Sequence, residues 1–226
     1  MEKVYYNNIT KSIKPMGDSL PEKGYETAWV YSADELAEMG GFVKFTYGLA
    51  YLRAKNGKLL KLASTVCGAA VEGVRPSVEW YGKLTVVEND GKYQMIDLGS
   101  GKVLAEDSLA ITPLNKDYYT THVTDWSTWD TMDYSESYTS LKRNGVEISR
   151  SSRNFTPFYE NGKLVSVKIG WDTKVSVEDL DKRYHEKEQL QKINEAVSSL
   201  KNLGLSEKEI ADKLKVAIDL GKGINI

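Results

Sequence analysis

The chain is poor in the residues that most catalytic and metal chemistry requires. Among 226 residues there is one cysteine, Cys67, set in the apolar stretch 64–71. No internal disulfide or multi-cysteine zinc site can form, and a buried, inert thiol is the expectation. There are two histidines, His122 in a predicted strand and His185 on a charged helix, too few to suggest a metal centre. Neither sign of charge dominates: 30 Lys and Arg stand against 32 Asp and Glu, a formal net charge of -2. That balance fits neither a basic nucleic-acid binder nor a strongly acidic mimic of DNA.

Long apolar runs are missing too. The N-terminal residues Met1 to Asn8 lack the uninterrupted core of a signal peptide, and no run approaches the length that spans a bilayer. The expected location is cytoplasmic, with a virion as the other setting. No Gly-x-Ser-x-Gly motif occurs, and neither Gly40-Gly41 nor Gly68-Ala69-Ala70 has phosphate-loop or dinucleotide spacing. No cofactor is called for.

What the chain does contain is turns. Asn56-Gly57, Asp90-Gly91, Ser100-Gly101, Asn144-Gly145 and Asn161-Gly162 punctuate short β-type runs as far as Lys174. Asn-Gly and Asp-Gly are strong hairpin signals because type I′ turns need positive φ at both central residues. Residues 83–88, 92–98 and 102–105 read as a three-stranded meander, and residues 164–171 read as the last strand, with Leu164, Ser166 and Lys168 opposite Val165, Val167 and Ile169. The turn glycines are unevenly spaced, which excludes a propeller. The Tyr-, Thr- and Ser-rich segment 117–153 suits half-buried strands.

Helical text is confined to two places. Ser32-Ala33-Asp34-Glu35 is a capping box closed by Gly40, giving a short helix with Leu36 and Met39 inward. After Lys174 the pattern changes: Ser176 caps a long helix, Gly204 ends it, and Ser206-Glu207-Lys208-Glu209 starts another. Residues 204–214 resemble the first helix of helix-turn-helix DNA-binding domains. Such domains also need a polar, basic recognition helix, and Val216 to Ile226 is short, apolar and bounded by glycine.

The expected fold is therefore mainly β, an antiparallel sandwich or partly open barrel built from hairpins, with a short N-terminal helix and a C-terminal αα-hairpin. Residues 1–175 form the β-domain and 176–226 the helical hairpin.

Candidate partner-binding residues fall in two groups. Trp126, Trp129 and Tyr134 lie among the acids Asp125, Asp130, Asp133 and Glu136, a composition suited to a contact loop, though spaced wrongly for calcium. Leu190, Ile193, Val197 and Leu200 recur at three, four and three residues, an apolar stripe that needs a cover. Residues 40–71 carry bases without acids and residues 106–136 carry acids with one base, Lys116, an asymmetry able to steer a partner.

The leading expectation is a non-enzymatic interaction or assembly subunit contacting other protein chains as a homo- or hetero-oligomer, for which a viral particle is one setting. A hydrolase using Asp125, Asp130 and Asp133 in a β-domain cleft is the alternative. A nucleic-acid-binding or regulatory protein, using the lysine-bearing strands from Arg53 to Lys61, is the second.

Overall fold

The computed structural model describes residues 1–17, 23–40, 49–63, 83–123, 137–171, 173–213 and 215. They form two compact units, Met1–Leu180 and Asp181–Ile226. The fold is mainly β with several antiparallel sheets and a C-terminal helix pair, and the described strands close no barrel. The expected strand at residues 42–47, the Cys67 segment and the Trp126 to Glu136 segment lie outside the described residues.

The first unit opens with β1 (Glu2–Asn7), β2 (Ser12–Pro15), β3 (Glu26–Tyr31), α1 (Ala33–Glu38), β4 (Leu49–Arg53) and β5 (Leu59–Leu62). The anticipated meander follows as β6 (Leu84–Asn89), β7 (Lys92–Asp97) and β8 (Val103–Asp107). These strands make one eight-stranded sheet in the order β2-β1-β3-β4-β5-β6-β7-β8. A four-stranded sheet contains β9 (Ile111–Pro113), β10 (Tyr118–Val123), β11 (Tyr138–Arg143) and β12 (Val146–Ser151). Finally β13 (Phe155–Glu160), β14 (Lys163–Ile169) and β15 (Thr173–Ser176) form a three-stranded sheet.

The turn dipeptides act through two geometries. Asp90-Gly91, Asn144-Gly145 and Asn161-Gly162 have positive φ at both residues, as type I′ turns require. At Asn56-Gly57 and Ser100-Gly101 only the glycine is positive. There Gly57 N donates to Ala54 O at 2.8 Å and Gly101 N to Asp97 O at 2.7 Å, closing longer loops around a left-handed glycine.

One pairing departs from the antiparallel expectation: β3 and β4 run parallel, Ala28 opposite Leu49 and Tyr31 opposite Leu52. Parallel neighbours need a crossover, and α1 lies in it. Ser32 and Glu35 make the capping box in full, and Gly40, at φ 82, closes the helix. Leu36 is buried as expected, whereas Met39 is 46% exposed. Met39 is the C-cap residue and no longer follows the helical face.

The large sheet is apolar on both sides. Tyr31, Leu36, Leu52, Val87 and Ile96 form one cluster under α1, and Val4, Tyr6, Val30 and Tyr51 form another. Adjacent residues belong to different clusters, as Val30 and Tyr31 do, because successive side chains point to opposite faces. A third cluster joins Leu84, Val86 and Met95 of this sheet to Ile111 and Tyr119 of the four-stranded sheet. Strand β6 is thus covered on both faces, which explains its unbroken Leu-Thr-Val-Val run. The Tyr/Thr-rich strands are more deeply placed than their composition suggests: Tyr118 and Tyr119, adjacent in β10, are both buried.

In the small sheet the expected alternation is reset. Phe158 pairs with Ser166 but Tyr159 pairs with Leu164, so Val165 is the extra residue of a bulge. The bulge returns Leu164 to the face shared by Val167 and Ile169. Without it, Leu164 would lie with Ser166 and Lys168.

In the C-terminal region α2 (Val177–Asn202) follows β15 directly. Ser176 Oγ accepts from the Asp179 amide at 3.0 Å, the cap that starts it. Gly204, at φ 83, donates to Lys201 O. A further helix begins at residue 207, capped by Ser206 and Glu209 in the reciprocal arrangement.

Candidate functional site

Two surfaces are built well enough to be described, and the first is the stripe on α2. Leu190 and Ile193 are 58% and 45% exposed, while Val197 and Leu200 are half-buried. Within the stripe burial rises towards the C-terminal end of α2, while the helix's most buried side chains, Leu180 and Tyr184, lie at its start. Ile210 of the following helix is buried. The open part of the stripe is therefore its first half, beside the uncharged Gln189, Asn194 and Ala196, with the oppositely charged Glu186 and Lys187 one turn before Leu190. Charge lies elsewhere on the helix, as in the Lys192–Glu188 pair at 3.3 Å.

The second surface is a cleft of about 390 Å³ in the first unit, lined by Lys83, Asn115, Lys116, Asp117, Lys163 and Leu164. Strand β6 begins beside Lys83, the β9–β10 loop supplies residues 115–117, and the type I′ turn before β14 brings Lys163. Asn115 Oδ1 accepts from the amides of Asp117 and Tyr118 at 2.8 and 2.7 Å, which fixes the loop and leaves its amide NH₂ available as a donor. Lys116 Nζ donates to Asp97 Oδ2 at 2.7 Å. Lys83 and Lys163 have no ion-pair partner among the described residues.

Asp97 anchors this wall. Its carboxylate accepts from Lys116 and also from the Ser100 amide and hydroxyl, at 2.8 and 3.0 Å. The Lys116 bond, followed by the Ser100 amide, holds its pKa at about 2, against an ordinary 3.8. A carboxylate whose folded pKa is depressed contributes its stability above the unfolded pKa and loses it as pH falls through the folded one. Asp97→Asn is expected to cost about 1 kcal/mol at pH 7, after discounting for solvent around Lys116. Urea titrations at pH 7, 4 and 3 should show the gap to the parent closing below about pH 4. A gap independent of pH would remove the ionic role.

Among the described residues, several charges of the basic and acidic regions are paired. Arg53 pairs with Glu2 and Lys61 with Glu88, both at 2.7 Å, and Lys58 lies 3.8 Å from Asp90. Lys55 donates to the carbonyls of Gly99 and Ser100. From the acidic side, Glu106 pairs with Lys92 at 2.6 Å and Asp107 with Lys142 at 2.7 Å. Lys61 and Glu88 face each other across β5 and β6, whereas Arg53 reaches past β3 to Glu2 on β1.

His122 Nδ1 lies 3.0 Å from Thr139 Oγ1, its cross-strand neighbour, which accounts for it as a strand residue. Among the described residues no group of His, Cys, Asp and Glu is placed to hold a metal ion, and no helix is long and apolar enough to cross a membrane. Trp126, Trp129, Tyr134 and the acids Asp125, Asp130 and Asp133 lie outside the described residues. The cleft lysines had no sequence signature: Lys83, Lys116 and Lys163 are far apart in the chain, lie on or beside three different sheets and line one cleft only in the folded unit. No family model matches the chain, and neither a curated protein nor a solved structure matches it.

Proposed function

We propose that the chain is a non-enzymatic assembly subunit that associates with a second copy of itself through the first half of the α2 stripe. The observation that carries this reading is the exposure of Leu190 and Ile193 on a helix whose other apolar positions are drawn towards cover. Isolated apolar residues on a surface need no explanation, but these two continue the a/d spacing of Val197 and Leu200. The flanks carry no net charge, Glu186 offsetting Lys187, and this favours a second copy as the occupant, because identical seams meet without net like-charge repulsion. Such self-association is what a structural component of a multi-chain complex needs, a viral particle among them.

The seam is short, so association in the micromolar range is expected rather than an obligate dimer. Light scattering on the full chain eluting from size exclusion, across a concentration series, should show a reversible dimer or higher oligomer. Leu190→Glu with Ile193→Glu should weaken it by about 100-fold or more, since each apolar side chain buried is worth roughly 1.5–3 kcal/mol. A parent chain that stays monomeric, or an oligomer indifferent to both substitutions, would refute the proposal.

A further inference from the structure

From the Lys83–Lys163 cleft we infer a binding site for a small phosphorylated polyhydroxy compound such as a sugar phosphate. The volume, about 390 Å³, falls in the range of small-molecule pockets and is far below what a polymer would need. Lys83 and Lys163 come from different sheets, and neither ammonium has a carboxylate partner among the described residues. This contrasts with Lys58, Lys61, Lys92, Lys116 and Lys142, each held by an acid.

The donors favour phosphate over a planar carboxylate. Lysine acts on an anion as a point charge with three rotatable donors, and the cleft has no arginine to offer a planar fork. The Asn115 amide adds a neutral donor on a loop held by its own Asx bonds. The Asp117 carboxylate opposes a bare anion but accepts from a hydroxyl next to it. Leu164, on the core face of β14, contributes a short apolar wall for the carbon skeleton.

Calorimetric titration of the full chain at low salt with ribose 5-phosphate, inorganic phosphate and ribose tests the assignment. Ribose 5-phosphate should bind saturably and more tightly than inorganic phosphate, and ribose should give no heat. Lys83→Gln with Lys163→Gln should weaken ribose 5-phosphate by about tenfold or more, while the exposed Lys102→Gln leaves it unchanged. Circular dichroism of each variant checks that the fold is retained. Lack of saturation at about 10 mM, or binding indifferent to the double substitution, would overturn the site. Inorganic phosphate binding as tightly as the sugar phosphate would overturn the polyhydroxy class.

Discussion

Asp107→Ala should lower the stability of the Met1–Leu180 unit by about 3 kcal/mol, the lower end of the cost of breaking a buried ion pair. Asp107 is the polar joint between the two larger sheets. Its Oδ2 accepts from Lys142 Nζ at 2.7 Å and its Oδ1 from the Leu109 amide at 3.1 Å. The Tyr119 hydroxyl also bonds to this carboxylate and accepts from the Gly145 amide at 3.1 Å. Burial, with the Asp107 charge beside it, pushes the Tyr119 pKa up to about 12, so the phenol stays a neutral donor.

The side chains of Asp107 and Lys142 are 8% and 15% exposed, which makes an orphaned Lys142 costly. For a unit of this size the loss corresponds to a fall of roughly 6–12 °C in Tm. The double variant Asp107→Leu with Lys142→Met should recover most of it, because replacing both partners by apolar groups removes the uncompensated charge. Urea unfolding followed by tryptophan fluorescence measures both. An Asp107→Ala variant within about 1 kcal/mol of the parent would mean that water already solvates the pair.

The second large effect is expected at Leu36→Ala, at about 3 kcal/mol. Helix α1 has six residues, too few to persist alone, and Leu36 is its one buried side chain. Leu36 packs with Tyr31, Leu52 and Val87, so its removal leaves a void beside the parallel β3–β4 pair. Hydrogen exchange should show faster exchange in residues 28–31 and 49–52, with the β6–β7 hairpin less affected. Met39→Ala, at the exposed end of the same helix, should stay within about 0.5 kcal/mol of the parent. Equal costs at the two positions would show that α1 is not held by Leu36.

Local rules accounted for the elements they control. The type I′ turns at residues 90–91, 144–145 and 161–162, the capping boxes at Ser32 and Ser206, and the closures at Gly40 and Gly204 each depend on atoms within a few residues. They were therefore legible before any packing was known. Pattern failed where a neighbour decided the outcome. The alternation of β14 was misassigned because a bulge at Val165 is specified by pairing with β13. Strands β10 and β11 read as half-buried because composition does not report that both faces of a strand are covered.

Charge showed the same division more sharply. In the sequence, Arg53, Lys58 and Lys61 stand in a basic stretch and Glu106 and Asp107 in an acidic one. Tertiary contacts pair these five, with Glu2, Glu88 and Asp90 on one side and Lys92 and Lys142 on the other. Lys83 and Lys163, inconspicuous in the sequence, line a cleft with no ion-pair partner among the described residues.

By itself, then, the sequence determined a mainly β chain of hairpins ending in two capped helices, because turn φ preferences, capping and alternation act over short distances. It also excluded internal disulfides and multi-cysteine metal sites within the chain, since one cysteine cannot make them. Tertiary structure alone decided the parallel β3–β4 pairing, the polar joint at Asp107, which acids the described lysines meet and which part of the α2 stripe stays open. Each depends on groups far apart in the chain, whose meeting is set by strand order and register rather than by local preference.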